Sequence, residues 1–406
     1  MKLILPLLLL ATSLTAEVRT WTSQAGSKIE AEVVEVAGDK VTLKRSDGKE
    51  ITAPIASLSE ADQKFLREYS QKEKASPPDN LPHPLGRAVG PIKAENSHYF
   101  LYLPKSLVAG RRAPLLFFTG SGGGNLKMLD RYIQAAEVGG WIVAVSKETR
   151  NNQNSLPHVL ACMKHLETTL PVDSNRLYFT GASGGGQRAM MNAAGYKGAG
   201  AIPIIYHGIL DGEEVPSKGH YYFIGGAQDY NRYGTAAARK NLGRNAFHRF
   251  HPGGHNNGPD TLVQDGMLWL NARFYASTKD REYAEQASDF ERNLLDFLEG
   301  LPDGASHRAF MLLSFIRDDY EISSANQSRA DALFSKLQSN PQNALYLEAL
   351  ADLDELSEKD LSEHGVGTLK KHTSKKVSRE AARLRDKYPG LHEIPSILEN
   401  LQKPTK

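Results

Sequence analysis

Apolar positions change rhythm three times along the chain. Between residues 17 and 74 they alternate: Ile29, Ala31 and Val33 are interleaved with Glu30 and Glu32, and Val41 and Leu43 flank Thr42. A period of two predicts half-buried strands, and Gly38-Asp39 and Asp47-Gly48 predict tight turns between them. Ser59 then stands as a helix cap with Asp62 three residues on, ahead of Phe65, Leu66 and Tyr69 on one helical face. This first region reads as a short meander or small barrel closed by a helix. Pro77, Pro78, Pro82, Pro84 and Pro91 with Gly86 and Gly90 mark residues 75–92 as a stiff linker.

From 93 to 278 short apolar runs alternate with helical patterns. The strand candidates are Tyr99–Leu103, Pro114–Phe118, Trp141–Ser146, Arg176–Thr180, Ala199–Tyr206, Tyr221–Gly225 and Ala246–Phe250. Several are apolar throughout, as in parallel strands covered on both faces. Helical stretches fall near 127–138, 156–169, 185–194, 231–243 and 259–276. Repeated βα units predict an α/β fold with a doubly wound, mostly parallel sheet. Beyond 278 the pattern turns helical throughout. Phe290, Leu294, Phe297 and Leu298 share one face, and Ala309, Phe310, Leu312, Leu313 and Phe315 form another apolar cluster. Residues 279–406 read as a helical appendage with no chemical motif.

The first 16 residues follow a different logic. Lys2 precedes the apolar run Leu3 to Leu10, and small residues near 13 and 16 offer cleavage points, as in an export signal. The run is too short to span a bilayer. The protein is therefore expected to be secreted or periplasmic, with no integral membrane segment after processing. Composition adds two constraints. A net charge of +2 over 406 residues makes no electrostatic case for nucleic acid. The single cysteine, Cys162, rules out an intrachain disulfide and falls on a helical apolar pattern, which marks it as a buried residue rather than a nucleophile.

One pentapeptide carries chemistry. Gly181-Ala182-Ser183-Gly184-Gly185 fits Gly-x-Ser-x-Gly, between the strand pattern Arg176–Thr180 and a helix-compatible stretch from Gly186 to Ala194. A nucleophile elbow needs that strand, serine and helix context. A serine hydroxyl needs a base, which a histidine held by a carboxylate supplies. Asp229 follows the strand Tyr221–Gly225, and His255 follows Ala246–Phe250 in the flexible run His251-Pro252-Gly253-Gly254-His255. They give the order Ser, acid, His. Asp211, Asp260 and Asp265 are the competing acids. His251 stands four residues before His255, but Pro-Gly-Gly between them prevents the helix that a metal pair at this spacing would use, so no metal and no cofactor is expected.

An oxyanion hole needs two backbone donors. The N–H of Gly184 supplies one. The glycine-rich loop Thr119-Gly120-Ser121-Gly122-Gly123-Gly124 supplies the other, assigned to Ser121 with Gly120 as the alternative. Tyr206, His207 and Tyr230 are candidates for the substrate pocket, with Tyr233 and His220 nearby in sequence.

Two resemblances rest on these residues. Arg19-Thr20-Trp21-Thr22, Val41-Thr42-Leu43-Lys44, Asp47-Gly48-Lys49 and Leu58-Ser59-Glu60-Ala61-Asp62-Gln63 resemble the Sla1 homology domain 1, an SH3-like fold. The likeness implies a peptide or surface ligand for this N-terminal domain. Phe117-Phe118-Thr119-Gly120-Ser121-Gly122-Gly123, the stretch from Arg176 to Gly186, and Gly253-Gly254-His255 before a helix with Trp269-Leu270 resemble the α/β-hydrolase family. Its secreted feruloyl esterases and polyhydroxybutyrate depolymerases are the nearest in pattern. That likeness implies a serine esterase acting on polysaccharide-linked or polymeric esters through Ser183, Asp229 and His255. Thr119 replaces a histidine usual before the oxyanion glycines, and the disulfides frequent in the depolymerases are absent. A catalytically silent hydrolase fold with a binding or matrix-associated role is the alternative.

Overall fold

The structure is a computed structural model, and it describes residues 18–37, 40–45, 47–73, 80–196, 200–208, 219–278, 280–318, 322–361 and 375–403. The stretch read as an export signal, the Gly38-Asp39 turn and Asp211 lie outside the described residues. The chain divides into two compact units, Met1–Ser76 and Pro77–Lys406.

In the first unit the alternating pattern folds as four antiparallel strands in chain order: β1 (Arg19–Thr22), β2 (Lys28–Ala37), β3 (Lys40–Arg45) and β4 (Glu50–Pro54). The inward positions Trp21, Ala31, Val33, Val41 and Leu43 are buried with Leu58 and Leu66, the latter on helix α1 (Glu60–Glu73). Asp62 binds the sheet to the start of that helix. It accepts hydrogen bonds from the Arg19 guanidinium (2.6 Å), the Thr22 N–H (2.8 Å) and the Ser59 hydroxyl (2.9 Å).

The second unit is built on an eight-stranded sheet. Its strands are β5 (Ala88–Ala94), β6 (Ser97–Tyr102), β7 (Ala113–Phe118), β8 (Ile142–Ser146), β9 (Val172–Ala182), β10 (Gly200–Ile204), β11 (Tyr221–Gly226) and β12 (Ala246–His251). Their spatial order is β12-β11-β10-β9-β7-β8-β6-β5. Strands β7 to β12 pair in parallel, whereas β6 runs antiparallel to both β8 and β5. This is an α/β-hydrolase-like sheet. Strand β5 begins inside the stretch that reads as linker and runs two residues past it. It is an edge strand with a register shift between Val89 and Ile92, the setting in which a sheet accommodates Gly90 and Pro91.

Helices α2 (Ile133–Gly139), α3 (Leu156–Thr169), α4 (Gly184–Gly195), α5 (Arg232–Leu242) and α6 (Asp260–Ser277) cover the two faces. Successive strand residues point to opposite sides. Leu115, Phe117, Leu177 and Phe179 join Cys162 and Met163 of α3 and Met190 of α4 in one core. Burial raises the Cys162 thiol to about 12, so it stays protonated. Leu116, Val143, Tyr178, Ile202 and Tyr222 join α2 and α6 in the other.

That second core does not stop at residue 278. It continues through α7 (Ala284–Glu299), α8 (Ser306–Asp318), α9 (Ser324–Gln338), α10 (Pro341–Leu356), α11 (Lys375–Lys387) and α12 (Ile394–Leu401), ending at Leu401. Polar contacts reinforce the junction. Arg249 on β12 donates to the Tyr346 hydroxyl at 2.9 Å, and His248 Nδ1 stands 2.8 Å from Ser357 Oγ. The C-terminal helices are therefore part of the same folded unit as the sheet.

Candidate active site

The strand β9 ends at Ala182 and the helix α4 begins at Gly184. Ser183 between them has φ +54° and ψ −121°, a left-handed conformation unusual for a residue with a side chain. Its N–H donates to the carbonyl of Ile204 at 3.0 Å, which fixes the turn against β10. Gly181 and Gly185 are required by a close approach: a Cβ on either would collide with the Thr119 carbonyl oxygen.

The acid and the base come from the two strands at the far edge of the sheet. Asp229 follows β11, and His255 follows β12. His255 Nε2 lies 3.0 Å from Ser183 Oγ, and His255 Nδ1 lies 3.1 Å from Asp229 Oδ1. A carboxylate only accepts, so Nδ1–H donates to Asp229 and Nε2 presents a lone pair to the serine hydroxyl. Asp229 is fully buried. Burial raises its pKa, opposed by the Asn231 N–H, by His255 and by the Arg232 charge. Asn231 donates its N–H to Asp229 Oδ1 at 2.8 Å and its side-chain amide to the Ile205 carbonyl at 2.9 Å, so it seats the acid against the loop after β10.

Of the competing acids, Asp260 pairs with Arg131 (3.4 Å) and Asp265 is buried against Arg308 (2.7 Å); neither is bonded to His255. His251 is buried, and its pKa is lowered to about 4 by burial. Among the described residues no group of His, Cys, Asp and Glu side chains is placed to hold a metal ion.

The glycine loop after β7 lies against the elbow. The Ser121 amide nitrogen stands 3.3 Å from where a Cβ of Gly185 would be. It has no acceptor among the described residues. Gly184 opens α4, and the first N–H groups of a helix lack internal partners. Gly120 does not fit the donor role read for it as the alternative, because its N–H donates to Thr149 Oγ1 at 2.9 Å. Arg188 on α4 steadies the loop by donating to the Gly120 carbonyl (3.4 Å) and the Arg150 carbonyl (3.1 Å).

The pocket residues separate. Tyr206 is 1% exposed and packs on Phe223 in the core, so it does not line a pocket. Its place one residue after Ile205 gave no sign of which face it takes. Tyr233 is likewise buried, its hydroxyl bonded to Arg232. His207 is half-buried and stacks on Tyr206. His220 packs edge-on against Trp269, and burial lowers its pKa to about 4. Tyr230 is the residue that meets the candidate triad. Its ring stacks on His255 at 4.6 Å and 11°, and its hydroxyl lies 3.3 Å from His255 Nε2. Asn151 was not legible as a site residue. Its side chain covers the Cα of Gly184, and its N–H donates to the Ser121 carbonyl at 2.9 Å. Nothing in its local sequence signals that contact, which forms across the strand order.

Residues 12–74 match the family described as SLA1 homology domain 1, SHD1. No curated protein matches the chain. Solved structures that resemble it include the fluorophosphonate-binding serine hydrolase FphF of Staphylococcus aureus, at 12% identity and a TM-score of 0.38, covering 46% of this chain and 99% of that one. An esterase of Pyrobaculum calidifontis matches at 15% identity and a TM-score of 0.35, over 57% of this chain and 91% of that one. A ferulic acid esterase matches at 14% identity and a TM-score of 0.35, over 46% of this chain and 96% of that one.

Proposed function

We propose that this protein hydrolyses carboxylic esters through an acyl-enzyme on Ser183. The observation that carries the reading is the continuous hydrogen-bonded line from buried Asp229 through His255 to a serine held in a left-handed turn. Ser183 Oγ attacks the ester carbonyl while His255 Nε2 takes its proton. Asp229 orients the ring and stabilises the imidazolium. The oxyanion of the tetrahedral intermediate accepts from the N–H groups of Gly184 and Ser121. His255 returns the proton to the departing alkoxide, which leaves as the alcohol. It then removes a proton from water, which attacks the acyl carbon; the carboxylic acid departs and Ser183 regains its proton.

Export and a polymer-linked ester substrate belong to the same proposal. The leader-like N-terminus supports the first, and the solvent-accessible position of His255 and Tyr230 supports the second. Ser183→Ala is expected to lower turnover of p-nitrophenyl acetate about 10⁶-fold and to abolish labelling by a fluorophosphonate. A Ser183→Ala variant that keeps its turnover would sink the assignment, and an unlabelled wild-type protein would favour a silent hydrolase fold.

A further inference from the structure

The loops that carry Asp229 and His255 share a third partner. Gln228, next to Asp229, donates from Nε2 to Asn400 Oδ1 at 2.9 Å. Asn400 Nδ2 in turn donates to the carbonyl of Pro252 at 2.7 Å, three residues before His255. One amide therefore joins the acid loop through its acceptor and the histidine loop through its donor. Asn400 belongs to α12, whose Ile394, Ile397, Leu398 and Leu401 are buried in the core shared with the sheet. Lys403 adds a second tie. Its ammonium donates to Asn400 Oδ1 at 3.0 Å, and its carbonyl accepts from Arg232 Nη2 at 3.4 Å.

The loops need such a tie. His255 is reached through Gly253 and Gly254, and glycine leaves the backbone its greatest freedom. Backbone bonds from Ala227 to His251 (2.8 Å) and from Gln228 to Gly253 (3.0 Å) bring the loops together, and Asn400 spans both from outside. A base displaced by a fraction of an ångström loses its alignment with the nucleophile.

We propose that Asn400 is a positioning residue for the triad: the C-terminal helix α12 holds Asp229 and His255 in register through Gln228 and Pro252. The inference rests on the acyl-transfer reading of Ser183. Asn400 touches no reacting atom, so its removal acts on turnover rather than on substrate binding.

The test uses the full chain, p-nitrophenyl acetate kinetics, the rate of fluorophosphonate labelling, and circular dichroism for the folded fraction. Asn400→Ala is expected to lower kcat and the labelling rate about 10- to 100-fold, with KM changed by less than about twofold. Asn400→Asp keeps the acceptor for Gln228 but loses the donor to Pro252, and should fall between wild type and alanine. Gln228→Ala lies outside α12 and should lower kcat too, and the double variant should be no slower than the slower single one, because both remove one linkage. Wild-type kcat and labelling in folded Asn400→Ala would overturn the proposal. So would a loss confined to the unfolded fraction, with Gln228→Ala fully active. A wild-type protein that takes no label fails the acyl-transfer reading itself, whereas equal labelling of wild type and Asn400→Ala fails the positioning role alone.

Discussion

A non-glycine residue in the conformation of Ser183 costs about 1–3 kcal/mol and persists only where its surroundings hold it. Here the holders are the Ile204 carbonyl on one side and the Thr119 carbonyl between two glycines on the other. The neighbouring Tyr230 introduces a competition, because its hydroxyl approaches the same Nε2 lone pair that must take the serine proton. Tyr230→Phe keeps the stacked ring and removes that donor, so fluorophosphonate labelling is expected to quicken about two- to fivefold, the scale of one weak hydrogen bond. Tyr230→Ala also removes the ring that lies flat on the imidazole, and labelling should slow below wild type. An unchanged rate in both would show the stack to be incidental. At this scale the meeting of Ser183, Asp229 and His255 was legible as a candidate site because each follows a recognisable strand, in the order that a serine triad would need. Tyr206 and Tyr230 were not separable, since aromatic character alone does not say which side chain turns into the core. Gly120 and Ser121 were separated by Thr149, a partner far off in sequence.

Elements meet more tightly than their patterns suggest. The end of β7 passes so near the elbow that Gly181 and Gly185 have no room for a methyl group. Gly185→Ala must push Thr119 away or unwind the first turn of α4. It is expected to cost ~2 kcal/mol or more, as overpacking does, and to lower the thermal midpoint as well as kcat. A midpoint equal to wild type would mean that the turn relaxes freely. Parallel strands and their helices were readable from apolar runs and spacing. Strand β5 was not, because Gly90 and Pro91 look like linker residues until an edge is there to accept them. The tie made by Asn400 was illegible for a different reason: its partners are 148 and 172 residues away, and no local pattern encodes such a contact.

Across the second unit, the helices after residue 278 complete a core that the sheet alone leaves open, and they cover Arg249 and His248 of β12 through Tyr346 and Ser357. His248 and His251 are pushed to about 3 and about 4, in both cases chiefly by burial, with the Arg239 charge adding to the first. An unfolded chain takes up protons on these rings below about pH 6.5, where the folded state refuses them. Their contribution to stability is therefore whole above that pH and is lost as pH falls toward 4. Each ring accounts for up to ~1.4 kcal/mol per pH unit. Glu167, raised to about 7 by desolvation, works in the opposite direction, so His248 is tested by comparison. The urea midpoint of His248→Gln should fall less than that of wild type between pH 7 and 5, and an equal fall would contradict the burial of this ring. The same architecture sets an order in time. A chain made from its N-terminus completes the last strand at His251, yet the residue that joins the two loops beyond that strand is made 149 positions later. A nascent protein would thus display Ser183 on a finished sheet before the residue proposed to hold the two loops exists, and the proposed acyl transfer would reach its full rate only when the last helix docks.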